Sequence, residues 1–293
     1  MTRWLVTGAG GMLGRDLVAA LAGADVTAMT RADLDITDVT AVKAAVGGCD
    51  VVINAAGWTD VDGAETQEAA AHAVNGTGPA HLAAACAAAG SRLVHVSTDY
   101  VFDGRADSPY AETAPPAPAN AYGRTKLAGE RAVLAAGGFV VRTAWLYGEH
   151  GTAFPHTLLR LARDRDTIDV VDDQVGAPTW SGSLAGQLVA LGRSPAAPGI
   201  YHGSAGGATT WYGFGRALFA ELGGDPGRIR PTTSARFPRP AVRPAYSVLG
   251  QARWADTGVE PLEDWRPMLH RAVAAGVFAA GLAALPGGAA TRR

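Results

Sequence analysis

Cysteine is scarce in this chain of 293 residues: Cys49 and Cys86 are the only two. That is too few for a disulfide framework, and they lack metal-ligand spacing. Both sit among apolar neighbours, so each is expected to be a packing residue. An excess of positive charge is missing too. Twenty-five Lys and Arg face 27 Asp and Glu, a formal charge of −2, and no basic run is present. That balance argues against nucleic acid as a partner, and the closing pair Arg292–Arg293 reads as a solvated tail. No apolar run is long enough for a membrane. Ala272 to Leu285 stops at Pro286, short of the about 20 residues a span requires, so a terminal helix against the core is expected. Met1 to Thr7 enters a strand directly with no cleavable leader pattern, which makes the cytoplasm the expected compartment.

What is present is a chain 48% hydrophobic, enough for one large core or two closely joined ones. Strand-like and helix-like segments alternate through the first half. Arg3–Thr7, Asp25–Met29, Val51–Asn54, Leu93–Val96 and Phe139–Arg142 read as strands. Met12–Leu21, Gln67–Ala89 and Tyr122–Ala135 read as helices. Buried apolar strands alternating with helices imply parallel pairing, hence an α/β fold with a doubly wound parallel sheet. After Gly148 the rhythm loosens. Helices near Phe154–Arg163 and Trp211–Leu222, a strand near Ile168–Val171, and a loop from Arg228 to Pro244 are expected. The chain thus divides into a Rossmann-like unit over 1–148, a smaller C-terminal substrate lobe over 149–285 with segments returning to the sheet, and a tail over 286–293.

Gly8, Gly11 and Gly14 recur at three-residue intervals directly after the first strand and open a helix. In that context such glycines let backbone approach a pyrophosphate, whose charge the helix N-terminus favours. A tight turn alone explains the pattern less well at the first strand of the chain. Arg31 ends the second strand, where an NAD site carries an acid and an Arg suits a 2′-phosphate. NADPH is therefore the expected cofactor, with NADH as the alternative, and a surface arginine is the plain rival. Asp35 and Ile36 stand where they flank an adenine. Asn54–Gly57 offers small side chains where a cofactor must lie close to backbone.

Tyr122 and Lys126 are four apart, on one face of a helix. A phenol of pKa about 10 works near neutrality when a cation stabilises phenolate, and lowering it by three units takes roughly 4 kcal/mol. Upstream, Ser97–Thr98–Asp99 ends the fourth strand, where an α/β site places its chemistry. A hydroxyl there reaches a carbonyl or the phenol.

These elements resemble the extended short-chain dehydrogenases. Asn54–Ala56, Ser97–Gly104, Tyr122–Glu130, Asp173–Thr179 and Arg243–Pro244 further resemble the dTDP-4-dehydrorhamnose reductase family, over nearly the whole chain to about Ala274. The resemblance implies that Tyr122 protonates a sugar carbonyl while NADPH delivers hydride to its carbon. Lys126 would hold the nicotinamide ribose and depress the Tyr122 pKa, and Thr98 would bond the substrate oxygen. Gly11, Met12, Leu13, Arg31, Asp35, Ile36, Ala55, Ala56 and Gly57 would line the cofactor. Thr98, Asp99 and Trp145 would meet the sugar, with Val61 beside it and Arg243 on the diphosphate. Trp145 serves equally as a core aromatic at a strand end, and both readings stand. Gly176 and Pro178 are expected to shape a turn.

Some members dimerise around a magnesium ion held by glutamates. Here Asp16 stands at the first such position and no carboxylate lies near Gly182, so no metal is expected, and monomer and homodimer both stay open. The implied activity is reduction of a nucleotide-linked 4-keto-6-deoxyhexose in deoxysugar biosynthesis. Dehydration lacks its glutamate, since Tyr100 follows Asp99. A sugar-nucleotide epimerase is weighed against by Arg31. The non-catalytic regulatory subunit of methionine adenosyltransferase, which shares the Tyr/Lys segment, remains the alternative from another class.

Overall fold

The computed structural model describes residues 1–279. In chain order, β1 (Arg3–Thr7), α1 (Met12–Ala20), β2 (Asp25–Met29), α2 (Val39–Val46) and β3 (Val51–Asn54) form the opening units. α3 (Val61–Thr66), α4 (Glu68–His72) and α5 (Gly78–Ala89) precede β4 (Arg92–Thr98), α6 (Ala121–Ala135) and β5 (Phe139–Thr143). Beyond them lie β6 (Leu146–Tyr147), α7 (Phe154–Asp164), β7 (Ile168–Val171), β8 (Val175–Gly176), β9 (Thr179–Trp180) and α8 (Ser181–Arg193). β10 (Gly199–His202), β11 (Thr209–Thr210), α9 (Trp211–Glu221), β12 (Ile229–Thr232) and α10 (Trp265–Ala274) complete the described elements.

Six parallel strands make the main sheet, in the order β10–β5–β4–β3–β1–β2. Among its inner strands β1, β3 and β5 carry continuous apolar runs because both faces are covered. Leu13, Leu17, Leu184 and Leu188 of α1 and α8 pack on Val6, Ile53, Val94 and Val141. Leu5, Val52, Leu93 and Val140 face Val42, Leu82, Cys86 and Val133 from α2, α5 and α6. A second core gathers Tyr147, Leu158, Phe214, Leu218, Phe219 and Met268. The edge strand β10 is supplied by the later half of the chain, and Trp254 packs beside it with Nε1–H donated to the His202 carbonyl.

Several expectations need correction. The helix read over Gln67–Ala89 is interrupted by a π-turn at Ala73–Thr77. Pro79 has no N–H to offer the Asn75 carbonyl four residues back, so the α ladder cannot run through. Ile229–Thr232, read as loop, is a strand, because it finds a parallel partner in β7. Gly176 lies in a strand rather than a turn. Ser97 and Thr98 lie inside β4, which pairs with β5 through Thr98 and Thr143. α10 ends at Ala274, before Gly276 takes φ +81°. Residues 275–279 form turn where the terminal helix was expected to continue, and the rest of that helix to Leu285, with the tail, lies outside the described residues.

Candidate active site

The chain leaves β2 and crosses to the far side of β1 to make β3, so a crevice opens beyond the C-terminal ends of β1 and β3. Gly8 lies there at φ +73°, and a Cβ on it would sit 2.5 Å from Ala56 N and 2.7 Å from the Ala55 carbonyl carbon. A Cβ on Gly14 would overlap the Gly8 carbonyl, whereas Gly11 meets nothing nearer than that oxygen at 3.4 Å. α1 starts without a side-chain cap or an acid in its first turn, so its leading N–H groups are available to an anion. Backbone packed too closely at Gly8 and Gly14 for any side chain, open space at Gly11 and an uncapped helix start together fit a dinucleotide's diphosphate.

Met12 borders the crevice against Gly148. The Leu13 side chain does not line it: it is buried under the sheet, so only the backbone of that residue faces an incoming ligand. Ile36 is likewise buried, against Gly78 in the opposite core. Arg31 is exposed just past β2, and its charge reaches Asp35. Asp35 Oδ1 accepts from the N–H (2.9 Å) and hydroxyl (2.8 Å) of Thr37, bonds that hold its carboxyl below the usual range. One oxygen is thus already committed to its own turn.

A buried polar chain ties the floor of the crevice together. The Thr7 hydroxyl donates to Asn54 Oδ1 (2.7 Å), which also accepts from the Ala56 N–H (3.1 Å). That orientation turns Asn54 Nδ2 onto His95 Nδ1 (2.9 Å) and leaves the ring proton on Nε2. Burial, then the Lys126 charge, keeps His95 neutral.

Thr98, Asp99, Tyr122 and Lys126 converge at the end of β4. Asn120 caps α6, accepting from the Gly123 N–H at 2.8 Å, which starts the helix so that Tyr122 lies in its first turn. The Thr98 hydroxyl faces the Tyr122 phenol and donates to Asp99 Oδ1 at 2.9 Å. Lys126 is buried and donates from Nζ to the Val96 carbonyl at 2.7 Å. Burial pulls its pKa down to about 8, opposed by Glu130. The expected depression of Tyr122 is not found. Burial and the Asp99 charge push the phenol up to about 12, and the Lys126 ammonium is turned onto Val96. The phenol therefore stays protonated through neutrality, as a proton donor must. Asp99 is 2% exposed, with Oδ2 unpaired, and burial raises its carboxyl to about 6, with Ser247 and Thr98 opposing.

Tyr100 packs edge-on to Tyr122, with ring centroids 5.6 Å apart, and the Arg243 guanidinium lies 5.9 Å from the Tyr100 ring. Arg243 is already paired: Asp62 holds it at 2.9 Å and also faces Arg239 at 3.7 Å. Val61 opens α3 beside Asp62. Trp145 is half-buried, stacked on Trp211 at 3.5 Å and 6°, with Gly176 against its Cε2–Nε1 side. It is the one non-glycine residue among those described with positive φ, +48°. The aromatic packing foreseen for it is thus present, with Trp211 covering one indole face.

The sequence did not single out Asp62, Tyr100 or the buried cluster behind the site. In that cluster Arg142 donates twice to Glu130 (2.8 and 2.7 Å), and Ser97 donates to the same carboxylate (2.6 Å). Glu130 lies one turn beyond Lys126, a spacing that a search for buried charge on α6 would have found. A cavity of about 540 Å³ beside Pro115, Leu134 and Arg253 contains none of the expected site residues. Ser181 donates to Asp16, joining α8 to α1.

The model of the RmlD substrate binding domain family matches residues 2–277. A dTDP-4-dehydrorhamnose reductase of Streptomyces griseus is 54% identical over 278 residues, spanning 91% of each chain. A dTDP-4-keto-6-deoxy-D-glucose reductase of Streptomyces niveus is 52% identical, covering 92% of this chain and 96% of its own. Among solved structures, the dTDP-4-dehydrorhamnose reductase of Bacillus anthracis in complex with NADP superposes with a TM-score of 0.90 at 34% identity, covering 94% of this chain and all of that one.

Proposed function

The chain belongs to the RmlD substrate binding domain family of dTDP-4-dehydrorhamnose reductases, and from that membership we infer its reaction. It is an NADPH-dependent oxidoreductase that reduces the 4-keto group of a dTDP-linked 4-keto-6-deoxyhexose in deoxysugar biosynthesis. The family match over residues 2–277 carries this conclusion.

NADPH, when bound, supplies the hydride for the carbonyl carbon. The Tyr122 phenol supplies the proton for the carbonyl oxygen, and Thr98 aligns that oxygen with it. This assignment draws support from the protonated phenol facing Thr98. Lys126 lies one helical turn away, placed to hold the nicotinamide ribose. Gly8, Gly11, Gly14 and the leading N–H groups of α1 take the diphosphate, with Ala55, Ala56 and Gly57 as the opposing wall. Arg31 meets the 2′-phosphate, while Asp35 and the backbone of Ile36 flank the adenine. Asp99 and Trp145 take the sugar beside Val61, and Arg243 takes the substrate diphosphate, drawn from Asp62.

In this scheme residues 1–148 form the cofactor unit, 149–285 the substrate lobe and 286–293 a tail. The enzyme works in the cytoplasm, where NADPH and nucleotide sugars are held, as a monomer or homodimer without a metal. Among the described residues, no helix is long and apolar enough to cross a membrane.

Absorbance at 340 nm tests the reaction. NADPH should be consumed with the dTDP-linked 4-keto sugar and hardly at all with the unlinked sugar, which forfeits the diphosphate contacts that position its carbonyl. Normal NADPH binding with no turnover on any dTDP-4-keto-6-deoxyhexose would instead fit a non-catalytic regulator.

A further inference from the structure

Pro115 and Pro116 stiffen the segment that leads from β4 to α6. The cavity of about 540 Å³ lies between that segment, α6 and the edge strand β10, and its size suits a small molecule. Leu127, Glu130, Arg131 and Leu134 recur at three- and four-residue intervals, so one stripe of α6 forms a wall. Tyr122 and Lys126 occupy the neighbouring stripe of the same helix. The cavity and the crevice therefore share α6 without sharing a face of it.

Three guanidinium groups line this space, and two of them are fixed. Arg142, 1% exposed, gives Nε and Nη2 to Glu130 at 2.8 and 2.7 Å. Its Nη1 is buried with no acceptor among the described residues, and a buried donor calls for one. Arg253 is laid against backbone: Nη2 donates to the Pro198 carbonyl at 3.0 Å, and its guanidinium carbon lies 4.7 Å from the centre of the Tyr201 ring. Gly199 makes room for it, since a Cβ there would meet that guanidinium at 2.5 Å. Arg131 is exposed at the rim. Of the two carboxylates present, Glu130 also takes the Ser97 hydroxyl (2.6 Å), and Glu112 accepts the Arg253 N–H (3.0 Å). Three cations against two anions leave one positive charge over, beside the apolar Ala114, Pro115 and Ile200.

We propose that this cavity is a second ligand site, separate from the cofactor crevice, and that it takes a small organic phosphate ester. The phosphoryl oxygens lie toward Arg142 and Arg253, and the apolar body rests on Ala114, Pro115, Leu134 and Ile200. Guanidinium forks pair with phosphate oxygens in two-point contacts. A three-oxygen anion serves two such forks at once, where a carboxylate serves one. The inference goes beyond the reductase reading and does not rest on it.

Phenyl phosphate is the probe, titrated calorimetrically into the full-length protein saturated with NADP+, with inorganic phosphate and phenol as its two halves. It should bind once per chain with a Kd of about 0.1–1 mM, the range usual for a ligand of its size, and each half should bind about tenfold more weakly or worse. Arg253→Gln should weaken the ester about tenfold, and Arg131→Glu, at the exposed rim, about three- to fivefold. Affinity for NADP+ and the melting midpoint report that the variants are folded. If Arg253→Gln fails to fold, Leu134→Trp decides, because an indole there fills the cavity and should abolish binding. Binding lost in Arg243→Gln but kept in Arg131→Glu and Arg253→Gln would seat the probe in the crevice and overturn the inference. Absence of saturable binding, or inorganic phosphate bound as tightly as the ester, would overturn it too.

Discussion

Replacing Asp99 by Asn should make the protein more stable and less active. The carboxyl is 2% exposed, its Oδ2 has no partner, and burial raises it to about 6 against an ordinary 3.8. A carboxyl with a raised folded pKa favours folding only when protonated. That contribution is complete below about pH 3.8 and is lost as pH rises through about 6. Above that, the fold carries a buried anion at a cost of about 3 kcal/mol. Asparagine keeps the acceptor used by the Thr98 hydroxyl and removes the charge. Its amide has a burial cost of its own, about 1 kcal/mol, which leaves a gain of about 2 kcal/mol at pH 8.

For a chain of this size that gain raises the melting midpoint by about 3–4 °C. Paired thermal melts of the two proteins at several pH values read the effect directly, because other titrations cancel between them. The advantage should fall to about a third near pH 5, cross zero near about pH 4.5 and reverse below it. Turnover should drop about tenfold, since the ionised carboxylate is assigned to a sugar hydroxyl. Equal midpoints at pH 8, or an advantage that does not shrink on acidification, would refute the argument.

Tyr122→Phe should cut kcat by about 10²–10⁴ while NADPH still quenches or enhances fluorescence as in the parent; parent-like turnover removes the phenol from the chemistry. Arg31→Ala should erase most of an NADPH-over-NADH preference of about 1.5–3 kcal/mol, read as the ratio of kcat/KM for the two cofactors. A parent enzyme indifferent to the 2′-phosphate would sink that assignment. Trp145→Ala should raise KM for the sugar nucleotide more than the Kd for NADPH, and the reverse order would place the indole on the cofactor side.

The parallel sheet was legible because strands covered on both faces must be apolar throughout, as Val51–Ile53 and Phe139–Val141 are. The glycine turn and the Tyr122/Lys126 helix were legible because each is a local device whose parts lie within a few residues. What stayed hidden depends on distant partners. Ile229–Thr232 becomes a strand only because Ile168–Val171 lies alongside it. Arg243 spends its charge on Asp62, 181 residues earlier. The Tyr122 phenol rises rather than falls because it is buried beside Asp99, while the Lys126 ammonium is spent on the Val96 carbonyl. No residue pattern announces the left-handed backbone of Trp145.

The position of β10 sets a timetable for synthesis. β5 leaves the ribosome about sixty residues before the strand that covers its outer edge, roughly 3–12 s at ordinary elongation rates. During that interval the nascent chain carries an apolar strand with one row of unpaired backbone groups, the template on which chains stick to one another. The whole sheet can close only after residue 202, so a fragment ending near Gly148 would keep the cradle yet expose that edge permanently. Yield of soluble enzyme should therefore depend on how quickly translation crosses residues 144–202, and slowing that stretch favours aggregation over folding.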